Sequence, residues 1–349
     1  MEQIDKHAGV AKRMNTNRCT IAVLIIVFMV VLSSQAAGAE VLTVTDDFGR
    51  NVTIHGVPER IISLSPANTE ILFAIGAGDR VVGVTEYDNY PAEAEARPKI
   101  GGFSTVSIEK VVALMPDFVL GSSQSGKKTV ERLSELGIPV VVLNPKSVSA
   151  ILVDIKLVGR VTGEEENASA VVSDIKWRLE AIKDQTLNVK KCPKVALVTW
   201  YDPLWVAAKG TVQNELLEIA GGENAFSDRK GWVTVSLEEL IDRNPDVIIV
   251  SIGHGVAGRK PYDDIMNETR LKVVGAVKNG RVYTIDADIM SREGPRIVNA
   301  TEIIHCGLSE SFNATTTATP EPAGFEAVLA VLGLIAGLYL VRRKSKGQF

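Results

Sequence analysis

The chain has 349 residues, 46% of them hydrophobic and 23% charged, a composition that allows two globular domains and excludes a disordered protein. Its formal charge of −4 and scattered basic residues argue against nucleic-acid binding, because neutralising phosphates needs a concentrated basic surface. Three cysteines are too few to build a fold from disulfides.

Residues 1–39 are predicted to be a secretory signal peptide. Lys12 and Arg13 precede an apolar run over residues 21–32, and the small residues 37–39 fit a cleavage site. An uncleaved N-terminal anchor is the alternative, although the run is short for a membrane span.

Residues 40–148 alternate β-like and helix-like segments, which is typical of a parallel α/β lobe. A buried strand around Ile62 leads into a helix for which Ser65 offers an N-cap and Pro66 a first position. The expected strands are 60–64, 81–85, 118–120 and 140–143, and the expected helices are 66–75, 108–115 and 127–136.

Residues 149–185 are expected to form one connecting helix. Apolar residues recur at helical spacing between Ser149 and Lys183 without a proline, and Gly163 is the one breaker in that stretch. At about 1.5 Å per residue, such a helix exceeds roughly 40 Å and is long enough to bridge two lobes.

Residues 186–308 are expected to form a second α/β lobe that echoes the first. Ser107-Ile108-Glu109 is followed by a Pro-Asp pair and a buried strand, and Ser236-Leu237-Glu238 is followed by the same elements at the same interval. The echo favours two Rossmann-like lobes that face each other. The expected strands are 195–200, 206–208, 247–250 and 282–285, and the expected helices are 213–220, 237–243, 271–278 and 295–306.

The C-terminus carries a second targeting signal. Residues 309–323 are rich in Thr, Ala and Pro and are predicted to be a solvated stalk, and residues 324–349 contain an apolar run followed by basic residues. The segment resembles the archaeal Pro-Gly-Phe C-terminal sorting signal, in which a lipid replaces the tail, although Ala323 interrupts the pattern. A plain transmembrane anchor is the alternative. Either one predicts an exported protein anchored on the extracellular face of the membrane.

Motifs for catalysis are absent from the sequence. It contains no P-loop and no G-x-S-x-G elbow, and Gly76-Ala77-Gly78 lacks the third glycine of a dinucleotide fingerprint. We therefore predict no catalytic residue, no resident cofactor and no metal site. Cys192 and Cys306 could form one disulfide outside the cell or remain two thiols.

Aromatic residues near predicted strand ends indicate a ligand site. Stacking on such side chains binds a large planar or macrocyclic ligand, and loops after parallel strands are where α/β sheets bind ligands. Two arginines in the last loop could pair with an anionic ligand. The candidate ligand-binding residues are Tyr87, Phe103, Trp200, Trp205, Trp232, Arg292 and Arg296.

Ordered motifs over residues 41–307 resemble the helical-backbone (class III) periplasmic binding proteins of ABC importers, which serve cobalamin, ferric siderophores and haem. The matching segments are 63–70, 82–91, 108–117, 213–218 and 221–226. The resemblance implies two lobes joined by a long helix, a ligand between them, a permease and an ATPase as partners, and no enzymatic activity.

The resemblance also implies site residues. One surface carboxylate on each lobe docks onto permease arginines in that family, and motif position assigns these roles to Glu70 and Glu238. The cobalamin-binding branch is the most similar, with cleft aromatics at Tyr87, Phe103, Trp200 and Trp232, so the expected ligand is cobalamin or another corrinoid. A ferric siderophore or haem is the alternative ligand, and an enzyme or a surface adhesin is the alternative function.

Overall fold

The N-terminal lobe is built on a four-stranded parallel sheet. The computed structural model describes residues 41–187, 192–253 and 258–313. An antiparallel hairpin of β1 (Val41–Thr45) and β2 (Asn51–His55) opens the described chain, and the parallel sheet follows in the order β4-β3-β5-β6. Its strands are β3 (Ile61–Ser63), β4 (Val81–Gly83), β5 (Phe118–Ser122) and β6 (Val140–Leu143), and its helices are α1 (Pro66–Ala74), α2 (Ala92–Glu95), α3 (Ile108–Ala113) and α4 (Lys127–Glu135).

The C-terminal lobe contains a six-stranded mixed sheet. β7, β11 and β12 are parallel. β8 pairs antiparallel with β7, β10 pairs antiparallel with β8 at the edge of the sheet, and β9 pairs parallel with β7. The strands are β7 (Lys194–Trp200), β8 (Trp205–Ala207), β9 (Glu223–Asn224), β10 (Trp232–Thr234), β11 (Val247–Ile252) and β12 (Val282–Asp286). The predicted α/β class with parallel sheets is confirmed.

The connection between the lobes consists of two helices, α5 (Val148–Thr162) and α6 (Glu165–Thr186), so the prediction of one helix over 149–185 is wrong. Gly163 adopts a left-handed φ of 70° and ends α5. α6 is the bridge. Arg80 of the N-terminal lobe pairs with Glu164 at its start, and Gln185 near its end contacts His305 of the C-terminal lobe.

The remaining helices surround the C-terminal sheet. They are α7 (Val212–Ile219), α8 (Leu237–Arg243), α9 (Lys260–Asn267), α10 (Gly275–Lys278), α11 (Ala287–Ser291) and α12 (Ile297–Asn313). α12 continues to Asn313, so the first residues of the predicted stalk are helical. The signal peptide and the anchor segment 324–349 lie outside the described residues. Within the described ranges, no helix is both long enough and apolar enough to cross a membrane.

The internal echo in the sequence corresponds to a structural repeat. Ser107 and Ser236 are the N-caps of α3 and α8, and each side chain accepts a hydrogen bond from a backbone N–H in the first turn. After each helix a Pro-Asp turn leads into a buried strand. The carboxylates of Asp117 and Asp246 accept hydrogen bonds from backbone N–H groups at the start of β3 and β7, at 3.0 and 2.9 Å. Equivalent positions in the two lobes can therefore be compared directly.

Candidate functional site

A cavity of about 540 Å³ lies where the N-terminal sheet faces the C-terminal lobe. All four parallel strands of the N-terminal sheet contribute to its lining through the loops after their carboxyl ends. These contributions are Ser65 after β3, Tyr87 after β4, Ser123 after β5 and Asn144 after β6. The C-terminal lobe closes the cavity with residues 288–293, which follow β12. The cavity therefore occupies the position at which open α/β sheets bind ligands.

Tyr87 and Phe103 form the aromatic part of the cavity lining. Their ring centroids are 5.1 Å apart with an interplanar angle of 50°, and Tyr87 is 51% exposed. Asp88 fixes the loop that carries Tyr87, because its buried carboxylate accepts hydrogen bonds from the backbone N–H and the hydroxyl of Thr85. Burial raises the pKa of Asp88, and hydrogen bonds from Thr69 and Thr85 oppose that shift. The structure thus brings the two predicted aromatics together, and their binding of a ligand stays a prediction.

The three predicted tryptophans lie on the C-terminal sheet, outside the lining of this cavity. Trp200 and Trp205 are direct cross-strand partners, and Trp232 is opposite Ala207, so pairing places the three side chains on one face. They are 37–40% exposed. Trp200 is the last residue of β7. Because β7 and β12 are parallel strands, it lies at the carboxyl edge of the sheet, the edge from which the cavity-lining residues after β12 extend. Trp232 is the first residue of the short strand β10.

Glu70 is buried, which contradicts its predicted role as a surface docking carboxylate. Its side chain is 1% exposed and accepts hydrogen bonds from Arg292 at 2.9 Å and from Arg296 at 2.8 and 2.6 Å. The guanidinium of Arg296 also lies over the ring of Tyr90, 4.2 Å from its centroid. We name Glu70, Arg292 and Arg296 the interlobe ion-pair cluster, because it joins α1 of the first lobe to the end of the second.

Arg292 and Arg296, which are predicted to pair with an anionic ligand, both donate to Glu70 in this cluster, and their binding of a ligand stays a prediction. Arg292 lines the cavity, but it donates to Glu70 and to the backbone carbonyl of Tyr87 and pairs with Asp288 at 2.9 Å. Asn89 donates to the same Asp288 carboxylate across the lobes at 2.8 Å. Both arginines are therefore committed to protein carboxylates, and a bound anion would have to compete with Glu70.

The structure points to Glu109 as the N-terminal counterpart of Glu238. Both are exposed second residues of α3 and α8, and each follows its N-cap serine by two positions. Hydrogen bonding to its own backbone N–H and to Ser107 lowers the pKa of Glu109, and the same pair of contacts, with Ser236, lowers the pKa of Glu238. Glu238 also lies 3.3 Å from Arg270. The sequence echo already contained this signal.

Three carboxyl side chains, those of Asp47, Asp154 and Glu293, lie near one another on one side of the cavity. Asp154 is buried on α5, and one of its carboxylate oxygens has no hydrogen-bond partner. Burial, together with the nearby Asp47 and Glu293, raises the pKa of Asp154 to about 7. Glu293 lines the cavity, and burial raises its pKa as well, opposed by Lys146. Asp154 is therefore partly protonated near neutral pH.

No disulfide joins Cys192 and Cys306, so of the two alternatives the structure has two thiols. Among the described residues, no group of three His, Cys, Asp or Glu side chains is placed to hold a metal ion.

Comparisons with known proteins agree with this architecture. Residues 61–289 match the family model of the periplasmic binding proteins. An uncharacterised ABC transporter substrate-binding lipoprotein of Bacillus subtilis (strain 168) is 33% identical over 271 residues, which is 75% of this chain and 83% of the relative. The chain therefore belongs to the periplasmic binding protein family.

Two similar proteins of known structure are named for different ligands. The periplasmic vitamin B12-binding protein of Vibrio cholerae is 26% identical with a TM-score of 0.62, covering 73% of this chain and 98% of that one. The periplasmic haem-binding protein of Roseiflexus sp. RS-1 is 26% identical with a TM-score of 0.66, covering 72% and 98%. The fold is thus shared by proteins that are named for vitamin B12 and for haem.

Proposed function

We propose that this chain is the extracytoplasmic binding component of an ABC importer and that it captures a corrinoid, such as cobalamin, between its two lobes. Membership of the periplasmic binding protein family supports the importer role. The chemistry of the interlobe cavity supports the corrinoid.

The cavity lining suits a large ligand that is rich in neutral polar groups. Around Tyr87 and Phe103 it presents hydroxyl and amide side chains, among them Ser122, Gln124 and Asn144. A corrin ring carries amide side chains around its rim. Hydroxyl and amide side chains of the protein can donate hydrogen bonds to these amides and accept hydrogen bonds from them. Its broad face matches the aromatic surfaces.

The charge of the lining argues against strongly anionic ligands. Among the cavity-lining residues that the structure describes, Arg292 is the one cation, and Glu70 and Asp288 already neutralise it. Glu86 and Glu293 add acidic groups to the wall. The propionates of haem, or an anionic ferric chelate, would face these acidic groups and would find no unpaired arginine in the lining to bind them. That neutralised arginine is the observation that carries the choice of a corrinoid.

Haem is the second candidate, favoured by one feature. Tyr87 is exposed in the cavity, and tyrosinate is a known axial ligand of haem iron. Haem would then bind through the phenol of Tyr87, whereas a corrinoid needs only its ring face.

Docking on the permease is proposed to use Glu109 and Glu238, one exposed and ionised carboxylate on each lobe. Equivalent positions on α3 and α8 give the two groups a defined separation and orientation, which arginines of a permease can match. We further propose that the N-terminal signal exports the chain and that the C-terminal segment tethers it to the membrane.

Isothermal titration of the purified protein with cyanocobalamin, haemin and a ferric hydroxamate tests the ligand. We expect binding of cyanocobalamin at least tenfold tighter than of the other two. Tight haemin binding that Tyr87→Phe abolishes would instead establish the second candidate.

A further inference from the structure

The loop after β4, residues 84–91, joins the cavity wall to the opposite lobe. Its buried residue Asp88 fixes the base of the loop, because the backbone N–H of Thr85 donates to the carboxylate and Lys99 donates to the backbone carbonyl. Tyr87 and Tyr90, on either side of Asp88, are 51% and 48% exposed. Neither tyrosine belongs to the core, so a fixed position of these rings depends on contacts outside the core.

Two hydrogen bonds link this loop to residues 288–296 of the C-terminal lobe. The backbone carbonyl of Tyr87 accepts a hydrogen bond from Arg292 at 3.1 Å. The side chain of Asn89 donates to the carboxylate of Asp288 at 2.8 Å. The loop that presents Tyr87 to the cavity is therefore held in part by the other lobe.

Tyr90 makes a third contact between this loop and the C-terminal lobe, outside the cavity. Its ring lies under the guanidinium of Arg296, 4.2 Å from the ring centroid, which is within the range of cation–π attraction. Tyr90 lines a second groove together with Glu70 and Arg296, and it is not among the described residues that line the cavity. An effect of Tyr90 on ligand affinity would therefore have to pass through the loop.

We propose that Tyr90 is a positioning residue for ligand binding: its contact with Arg296 holds the loop against the C-terminal lobe and thereby holds Tyr87 in the cavity wall. This inference rests on the proposed function, because it takes Tyr87 as a ligand contact. It adds that the affinity depends on an interlobe contact that the ligand does not touch. Separation of the lobes breaks the contacts of Tyr87, Asn89 and Tyr90 together, so the ligand loses its aromatic wall as the lobes part.

A double-mutant cycle on the full chain tests whether Tyr90 acts through Tyr87. Isothermal titration measures cyanocobalamin affinity for the wild type, Tyr90→Leu, Tyr87→Ala and the protein with both substitutions. We expect Tyr90→Leu to weaken binding about threefold in the wild type, because the cation–π contact is lost. In the Tyr87→Ala background the same substitution should change the affinity by less than about 1.5-fold, because the side chain that Tyr90 positions is already absent.

Two control substitutions separate this role from a general loss of structure. Tyr90→Phe keeps the stacked ring and should bind cyanocobalamin as the wild type does. Phe73→Leu removes a ring from the same groove, where Phe73 lies 6.0 Å from the guanidinium of Arg97, but on α1 and not on the loop, so it should leave the affinity unchanged. Tyr90→Leu itself should melt within about 2 °C of the wild type, because Tyr90 is outside the core.

A second measurement needs no ligand. Fluorotyrosine is placed at position 87 of the full chain, and its fluorine NMR signal is recorded in the ligand-free protein. We expect Tyr90→Leu to shift or broaden this signal, because the ring at position 87 is held less firmly. Tyr90→Phe and Phe73→Leu should leave the signal as it is in the otherwise wild-type protein.

Additive effects of Tyr90→Leu and Tyr87→Ala on affinity, or a fluorine signal that Tyr90→Leu leaves unchanged, would overturn the inference and leave the proposed function intact. Equal weakening by Tyr90→Phe and Tyr90→Leu would also contradict it, since the stacked ring would then not be the cause. If the wild type binds neither cyanocobalamin nor haemin, the proposed ligands are refuted, and the fluorine signal alone decides whether Tyr90 positions Tyr87.

Discussion

The substitution Glu70→Gln should destabilise the protein strongly, because it removes the anion that two buried arginines share. The carboxylate accepts three hydrogen bonds of 2.6–2.9 Å, and the side chains of Arg292 and Arg296 are only 7% and 16% exposed. Losing one partner of a buried pair costs about 3–5 kcal/mol. Arg292 keeps Asp288 as a partner, which places the expected loss near ~3 kcal/mol.

For a chain of this size, that loss corresponds to a fall in melting temperature of roughly 4–6 °C, because the entropy of unfolding is about 2.1 cal/mol/K per residue. Thermal unfolding followed by circular dichroism measures it. The control is Glu238→Gln, whose parent side chain is 69% exposed and whose removal should change stability by less than about 0.5 kcal/mol. If Glu70→Gln melts within about 2 °C of the wild type, the interlobe ion-pair cluster does not hold the lobes together as we infer.

The remaining predictions concern pH, ligand binding and docking. Burial and its acidic neighbours raise the pKa of Asp154 to about 7, above its value in the unfolded chain, so this group loses its stabilising proton as pH rises through 7. Asp154→Asn should therefore raise the melting temperature at pH 8 and leave it nearly unchanged at pH 4; an equal shift at both pH values would contradict this. Tyr87→Ala should weaken cyanocobalamin binding at least fivefold in a titration, because the ligand loses an aromatic surface in the cavity, whereas Trp177→Ala, on α6, should not. The double substitution of Glu109 and Glu238 by Lys should abolish importer-dependent uptake in cells while cyanocobalamin affinity is kept, and uptake at the wild-type rate would exclude both carboxylates from docking.

Much of the fold could be predicted from the sequence, because local patterns determine it. The four buried valine and leucine residues from 140 to 143 form β6 within the predicted limits, and Ser236 begins a helix that ends at Arg243 as predicted. The prediction of a single connecting helix was wrong because apolar residues recur at helical spacing on both sides of Gly163. The spacing of apolar residues does not reveal that Gly163 adopts a left-handed conformation, at which the first helix ends.

The candidate site was less predictable, because its geometry depends on residues that are distant in sequence. Motif position assigned Glu70 to the surface, but its burial is set by Arg292 and Arg296, more than two hundred residues later. No local pattern reports that pairing. Glu109 was within reach, since the echo aligns it with Glu238. The polar lining after β5 and β6 also follows from the rule that ligands bind at the carboxyl ends of strands.

A crystal structure of the protein with cyanocobalamin tests the central claim most directly. We expect the corrin ring to lie between the lobes, with its face on Tyr87 and Phe103, its amides near the loops after β5 and β6, and Glu70 still bound to both arginines. Cyanocobalamin bound outside this cavity, or a cavity that stays empty at saturating concentration, would contradict the proposal.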